Sequence, residues 1–176
     1  IFTDKSYGKS LIEKIKTDNI SKDLEVNQVA IVSGFQGVSS ENRITTLGRG
    51  GSDTTAVAMA ASFSADRCDI YTDVDGVYTT DPRIVKSAKK LDIITYEEML
   101  ELASQGAKVL QTRSVALAMK YGVNLRVLSS FEDLPGTSII KEEKNMEKSE
   151  ISGIAHSFNE AKITLSGVPD QPGQAA

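Results

Sequence analysis

Cysteine is almost absent. Cys68 is the only one in 176 residues, so no intramolecular disulfide can form and a reducing compartment is expected. Histidine is equally scarce, and one cysteine with one histidine (His156) is too few for a structural zinc site. No run of about 18 uncharged apolar residues occurs, which excludes a membrane-spanning helix. Positive charge is not in excess: 20 Lys+Arg stand against 24 Asp+Glu, a net charge of −4. The basic footprint of a nucleic-acid binder is therefore missing. The chain opens at Ile1 with neither a Met nor a signal-like segment, and it reads as a cytoplasmic excerpt of a longer polypeptide. What is present is ordinary for a globular protein, 40% hydrophobic and 25% charged. That suffices for one domain of roughly 100–200 residues, or one domain plus part of another.

Ser10–Ile20 spaces Leu11, Ile12 and Ile15 among lysines and glutamates, which predicts a helix with a solvated face. The apolar run Val29–Ser33 predicts a buried strand that enters a loop at Gly34-Phe-Gln-Gly37. Ile44–Leu47 predicts another strand, followed by Gly48-Arg-Gly-Gly-Ser-Asp53. Thr54–Phe63 carries Ala, Val and Met on every side, as a fully buried helix would, and Asp69–Thr72 reads as the next strand. Strand, glycine turn, helix and strand in that order predict a βαβ unit and a parallel sheet.

Thr95-Tyr-Glu-Glu98 is a capping box that opens a helix ending near Gly106. A further helix, about 110–121, ends at Gly122, and strands are expected at 123–128 and 138–140. Residues 1–140 thus read as one layered α/β domain. Lys141–Glu150 has seven charged residues in ten and no apolar anchor, which marks a linker. Residues 151–176, with strand-like alternation at 151–155 and 161–166 and a Pro169-Pro172-Gly173 turn, read as the truncated beginning of a second domain.

The glycine-rich turn is the most informative segment. Its glycines let backbone approach a ligand, and the amides of the helix that follows point outward at the positive end of the dipole. Phosphate or carboxylate suits such a position. Arg49 adds a planar fork that can grip a carboxylate through two hydrogen bonds, and Ser52 a further donor. Asp53 fits equally a first-turn cap. Gly-Lys-Ser/Thr of a phosphate-binding P-loop is missing, as is the third glycine of a dinucleotide fingerprint. The second segment, Tyr71–Arg83, packs three aspartates, two tyrosines and one arginine into thirteen residues at the carboxyl end of a strand, where open α/β sheets bind ligands. The alternative is a wide hairpin in which Asp75 and Asp81 make Asx turns. Lys108 is either a plain exposed lysine or, beside a phosphate site, a partner for a terminal phosphate. His156 reads as a surface strand residue and Cys68 as a buried small side chain, so Ser-His or Cys-His catalysis has no support.

Taken together, Gly34–Gly37, Thr46–Asp53, Tyr71–Arg83, Tyr96–Ala103 and Arg126–Ser130 resemble aspartate kinase, within the amino acid kinase superfamily. The resemblance runs in unbroken order over about residues 1–140, and residues 151–176 resemble the entry into the ACT regulatory domains of that family. It implies a three-layer αβα sandwich with a largely parallel open sheet, incomplete here, followed by the first strands of an α+β ACT-like domain. It also implies ATP-dependent phosphorylation of the L-aspartate side-chain carboxylate to 4-phospho-L-aspartate, the first step toward lysine, threonine, methionine and diaminopimelate. By matching position, Arg49, Gly50, Gly51 and Ser52 would bind aspartate. Asp53 and Lys108 would be catalytic, and Thr72, Asp73, Tyr78, Arg83 and Lys108 would hold ATP. Mg²⁺ is expected with the nucleotide, its protein ligands unassigned. Members are commonly oligomers or catalytic/regulatory assemblies, controlled by end-product amino acids. No nucleic acid or membrane partner is expected.

The family's Lys-Phe-Gly-Gly-type first-strand motif does not occur in this chain, so the excerpt is expected to hold about half the active site and to be inactive alone. Two other readings stand beside aspartate kinase. One is a superfamily enzyme acting on glutamate or a nucleotide, because the ATP-side motif is shared. The other is a non-catalytic regulatory fragment.

Overall fold

The computed structural model describes residues 1–107, 109–142 and 151–156. Two four-stranded sheets carry the fold. The first has the order β2-β1-β3-β4, from β1 (Phe2–Thr3), β2 (Ile12–Lys14), β3 (Gln36–Ser39) and β4 (Ile44–Thr46). β1 pairs antiparallel with β2 and parallel with β3, and β3 pairs antiparallel with β4. The second sheet has the order β5-β7-β8-β6, from β5 (Cys68–Thr72), β6 (Ile93–Thr95), β7 (Leu125–Ser129) and β8 (Thr137–Ile140). Two of its three pairings are parallel, β5 with β7 and β6 with β8. The helices are α1 (Asp18–Glu25), α2 (Gly51–Ser62), α3 (Tyr96–Ser104) and α4 (Thr112–Tyr121). An α/β fold with a parallel-rich sheet is what the sequence predicts.

Alternation along β5 and β7 decides which face is covered. Cys68, Ile70, Leu125 and Val127 point into one core with Val57 and Ala60 of α2, Tyr96, Met99 and Leu102 of α3, and Val115 and Ala118 of α4. Asp69, Tyr71 and Arg126 alternate with them on the other face, where Arg126 grips Asp69 through Nε–Oδ1 (3.1 Å) and Nη2–Oδ2 (2.6 Å). That two-point hold, first through hydrogen bonding and then through charge, keeps the Asp69 carboxyl below its usual range. The Tyr96 hydroxyl donates to the Val123 carbonyl (2.8 Å), satisfying a polar group that burial would otherwise strand.

Local signals explain where the helices begin and end. The capping box of α3 is complete: Thr95 Oγ1 accepts from the Glu98 amide, while the Glu98 carboxylate accepts from the Thr95 amide (2.8 Å). α4 stops at Gly122, whose φ of 67° suits glycine at a helix end. α2 is buried at Thr54, Thr55, Val57, Ala58 and Ala60 but exposes Ser52 and Ser62, so it is not buried all round.

Four expectations are corrected. Ser10–Ile20 is not a helix: Ile12–Lys14 pairs with Phe2–Thr3, and the helix starts only at Asp18. The spacing of Leu11, Ile12 and Ile15 also allows a strand with half-buried isoleucines, and pairing with β1 selects it. Val29–Ser33 forms no strand and is not buried, with Val29 89% and Ile31 96% exposed. The expected βαβ unit is split, because β4 and β5 belong to different sheets. Ile151–Ala155 has no regular structure, so His156 is exposed but not on a strand. Cys68 is buried as expected. The linker is described only at 141–142, and the expected ACT-like start only at 151–156; the rest of both, residues 143–150 and 157–176, lies outside the described residues. Among the described residues no helix is long and apolar enough to cross a membrane.

Replacing Thr95 by Ala removes one half of the α3 cap and is expected to cost about 1 kcal/mol of stability, read as a lowered urea midpoint at unchanged slope.

Candidate functional site

The glycine hinge begins where β4 ends. Leu47 is buried, its N–H donating to the Phe35 carbonyl (2.8 Å) and its carbonyl accepting from Arg113 Nη1 (2.8 Å). Beyond it the backbone turns through Gly48 (φ 80°) and Gly50 (φ 67°) into α2. Gly50 is the N-cap in left-handed conformation, and no side chain caps the helix. A Cβ at Gly50 would run into the Gln111 side chain, so glycine is demanded by space as well as by φ. The uncapped first turn of α2 and its dipole therefore face outward, a geometry that favours an anion.

Of the loop expected at Gly34–Gly37, only Gly34 and Phe35 lie outside β3, because Gln36 and Gly37 pair with Thr46 and Thr45; Gly34 and Phe35 close over the same turn. The Phe35 amide donates to Thr55 Oγ1 (3.1 Å), and its ring lies where a side chain on Gly51 would be. These contacts hold Phe35 at φ 72°, a costly conformation for an aromatic residue. Gly34 packs against Ser52. The two glycine motifs read separately from the sequence are thus one structure.

Arg49 is exposed, and no described residue pairs with its guanidinium. Ser52 is exposed beside it on the first turn. Asp53 is half-buried without a cationic partner among the described residues, and burial raises its carboxyl above the usual range. Burial first, then the charges of Asp69 and Asp53, push the Cys68 thiol up to about 11, an inert position for a nucleophile.

The second segment leaves the carboxyl end of β5. Thr72 Oγ1 donates to Asp73 Oδ1 (3.1 Å), and the Thr72 carbonyl accepts from the Ser130 amide (2.8 Å). The loop then doubles back as a wide hairpin, with Val77, Tyr78 and Thr79 lying against Lys89, Lys90 and Leu91. Thr137 Oγ1 fastens both arms, accepting from the Val77 amide (2.8 Å) and donating to the Leu91 carbonyl (2.6 Å). Of the two Asx turns considered, Asp81 makes one, to the Arg83 amide (2.9 Å). Asp75 instead accepts the Tyr78 hydroxyl (3.0 Å) and lies 3.7 Å from Lys90 Nζ. The Tyr78 hydroxyl titrates above its usual range, through burial and then this hydrogen bond.

Arg83 is held by its neighbour. Its Nε and Nη2 bond both Asp81 oxygens (3.0 and 2.7 Å), although the arginine side chain is 82% exposed. Such an exposed pair is cheap to open.

Because α2 returns to β5 through the short connection 63–67 and packs against it, the two elements run antiparallel. Asp53, in the first turn of α2, is near enough to Cys68, the first residue of β5, for its charge to act on that thiol. No hydrogen bond or ion pair joins Arg49–Asp53 to Thr72–Arg83 among the described residues. Lys108 lies outside the described residues. Among the described residues no three metal-ligating side chains converge.

Sequence reasoning missed Phe35, Thr55, Gln111 and Arg113. A signal existed for Arg113: a cation in the first turn of a helix opposes the dipole and needs a compensating bond.

The amino acid kinase family description matches residues 2–129. The aspartate kinase of Pseudomonas putida is 60% identical over 176 residues, covering 99% of this chain and 43% of its own length. Aspartokinase III of E. coli, solved in complex with aspartate and ADP, superposes with a TM-score of 0.68 at 36% identity, over 82% of this chain and 33% of that one. The aspartate kinase of Clostridium acetobutylicum gives 0.72 at 31% identity, over 88% and 37% respectively. The chain thus spans less than half the length of the curated relatives it matches.

The Arg83 hydrogen bonds, and then its charge, pull the Asp81 carboxyl from the ordinary range down to about 2. The pair's contribution is accordingly whole above pH about 4 and lost as pH falls through about 2. A carbon-detected NMR titration should find the Asp81 midpoint near 2, and Arg83→Ala should return it toward the ordinary carboxylate value.

Proposed function

Since this chain belongs to the amino acid kinase family, we propose that it forms part of an aspartate kinase, which transfers the ATP γ-phosphoryl group to the side-chain carboxylate of L-aspartate. What supports this reading is that the two motifs are carried by α2 and β5, elements that pack against each other. The uncapped start of α2 with unpaired Arg49 lies on one side, and the carboxyl end of β5 with its acidic, arginine-bearing hairpin on the other. The named aspartate kinases, 49–60% identical along nearly the whole chain, support the substrate. Aspartokinase III, crystallised with aspartate and ADP, supports the nucleotide.

The chemistry asks little of an acid or base. A carboxylate is already ionised at neutral pH, so its oxygen can attack the γ-phosphorus directly while the bond to the bridging oxygen breaks and ADP departs with the electron pair. The obstacle is bringing one anion against another. In this reading Arg49, the Gly50 and Gly51 backbone and Ser52 bind L-aspartate, Arg49 by a two-point grip on a carboxylate. Thr72, Asp73 and Tyr78 seat the nucleotide, while Arg83 exchanges the Asp81 carboxylate for phosphate oxygens and Lys108 neutralises the terminal phosphate. Magnesium enters with the nucleotide. Asp53 would repel the substrate carboxylates, and burial already holds its carboxyl above the usual range. Its role is to orient a cation, the substrate ammonium or a lysine, rather than to remove a proton.

The division at 141–150 and an ACT-like start at 151–176 belong to the same proposal, as do a longer polypeptide supplying the rest of the cleft, oligomeric assembly and end-product control. The lysine-bound T-state structure of E. coli aspartokinase III supports the last. The cytoplasm is the proposed compartment, and lysine, threonine and methionine synthesis the proposed pathway.

A coupled ADP-release assay on the full-length enzyme should show preference for L-aspartate over L-glutamate and uridine monophosphate; preference for glutamate overturns the assignment. Asp53→Asn should lower turnover at least ~100-fold, the scale of lost preorganised electrostatics. Near-normal turnover would remove Asp53 from the mechanism.

A further inference from the structure

We propose that Arg113 is a positioning residue for the substrate hinge: from the first turn of α4 it holds the backbone that presents Arg49 and the Gly50–Ser52 turn. The proposal rests on reading that hinge as the aspartate carboxylate site.

Arg113 is the second residue of α4, where its charge opposes the helix dipole; the Asp4 carboxylate feels that charge, but no carboxylate bonds the guanidinium among the described residues. Its guanidinium is spent on two main-chain carbonyls far away in sequence. Nη1 donates to Leu47 (2.8 Å) and Nη2 to Ser10 (2.8 Å), 66 and 103 positions distant. Both acceptors belong to one patch, because the Ser10 amide donates to the Thr46 carbonyl (2.9 Å). Ser10 and Leu47 are buried, so water cannot replace the arginine there without reopening the packing.

The grip reaches the hinge at both ends. Leu47 immediately precedes Gly48, and its amide is already committed to Phe35, so Arg113 completes its anchorage. Two residues before Arg113, Gln111 fills the space that a side chain on Gly50 would need. Gly48–Gly51 is therefore suspended between Leu47, which Arg113 clamps, and Gly50, which Gln111 backs. Three glycines in that span supply no stiffness of their own. A ligand-binding arginine on such a span is preorganised only if the anchors on either side are fixed. A planar five-donor fork can hold two carbonyls at once; a lysine ammonium on a flexible stem holds one well.

The test uses the full-length enzyme with Arg113→Ala and Arg113→Lys, measuring KM for L-aspartate and for ATP, kcat and thermal midpoint. In Arg113→Ala, KM for L-aspartate should rise at least about tenfold, the scale of one lost charge-assisted hydrogen bond. KM for ATP should stay within about twofold, because uniform loss of binding on one substrate leaves the other untouched. Arg113→Lys should recover part of the loss, and it decides the matter where the alanine variant fails to fold. An unchanged KM for L-aspartate overturns the proposal. So does a parallel rise of both KM values with a lowered midpoint, which marks a general brace only. Should the parent enzyme not phosphorylate L-aspartate at all, the functional reading fails but the clamp is still decided by hydrogen exchange. Faster exchange confined to residues 47–53 in Arg113→Lys upholds it, and unchanged exchange refutes it.

Discussion

The peptide group of Leu47 is gripped from both sides, its N–H by the Phe35 carbonyl and its carbonyl by the Arg113 guanidinium. The glycine hinge proposed to bind aspartate depends on this double hold. A buried peptide must satisfy both its polar groups, and here neither partner belongs to a regular ladder. Phe35 can accept only because it stays at φ 72°, with its own amide tied to Thr55 on α2. Thr55 in turn donates to Gly51 (2.8 Å), the first residue of that helix. The loop, the hinge and the helix start therefore close a short circuit of hydrogen bonds in which each member fixes the next. Such circuits are costly to break at any single point, because the remaining buried groups lose their partners.

The hairpin proposed to seat the nucleotide is organised differently. Its side chains already have partners: Tyr78 on Asp75, Asp75 on Lys90, Thr72 on Asp73, Arg83 on Asp81. The Thr72–Asp73 and Arg83–Asp81 bonds are exposed and the Tyr78–Asp75–Lys90 set is part-buried, whereas Thr137 pins the hairpin arms from inside the fold. A rigid base with exchangeable surface pairs suits a ligand that brings its own charge. The Asp81 carboxylate occupies on Arg83 the two-point geometry that a phosphate would need, so in the proposed reading nucleotide binding would trade one anion for another. At the hinge proposed for aspartate, Arg49 has no such stand-in among the described residues, and its position rests on backbone anchors instead.

How much of this was legible in the sequence follows the range of the forces involved. Signals spanning three or four residues are legible: the Thr95–Glu98 cap, the Gly122 stop and the glycine turn into α2, while the Asp81–Arg83 turn answers to the alternative reading of its segment, whose second turn, at Asp75, does not form. Strands β5, β7 and β8 were also legible, because alternation and burial agreed along them. β1 and β3 were not, since two to four residues with Thr, Gly and Ser carry too little periodicity to register. The site divides along the same line. Motif residues were visible, but the anchors Gln111 and Arg113 act on backbone atoms 61 or more positions away, and a carbonyl oxygen leaves no trace in a residue string.

Val29–Ser33 makes the limit concrete. Its composition is that of a buried strand, yet Val29 and Ile31 face solvent and no described strand runs beside them. Periodicity and β-branching report what a segment would do if flanked, not whether a flank exists. A strand presenting apolar side chains on both faces needs partners at its edges and a covered layer above and below. The described residues offer a helical layer on only one face of the β5–β7 sheet, and the relatives that match this chain extend over more than twice its span. The same shortage of cover leaves Tyr71 63% exposed beside the Asp69–Arg126 pair. The exposed apolar run and the uncovered sheet face are therefore the same kind of deficit, apolar surface whose burial needs protein packed against it, and a segment's own residues cannot state whether that protein is there.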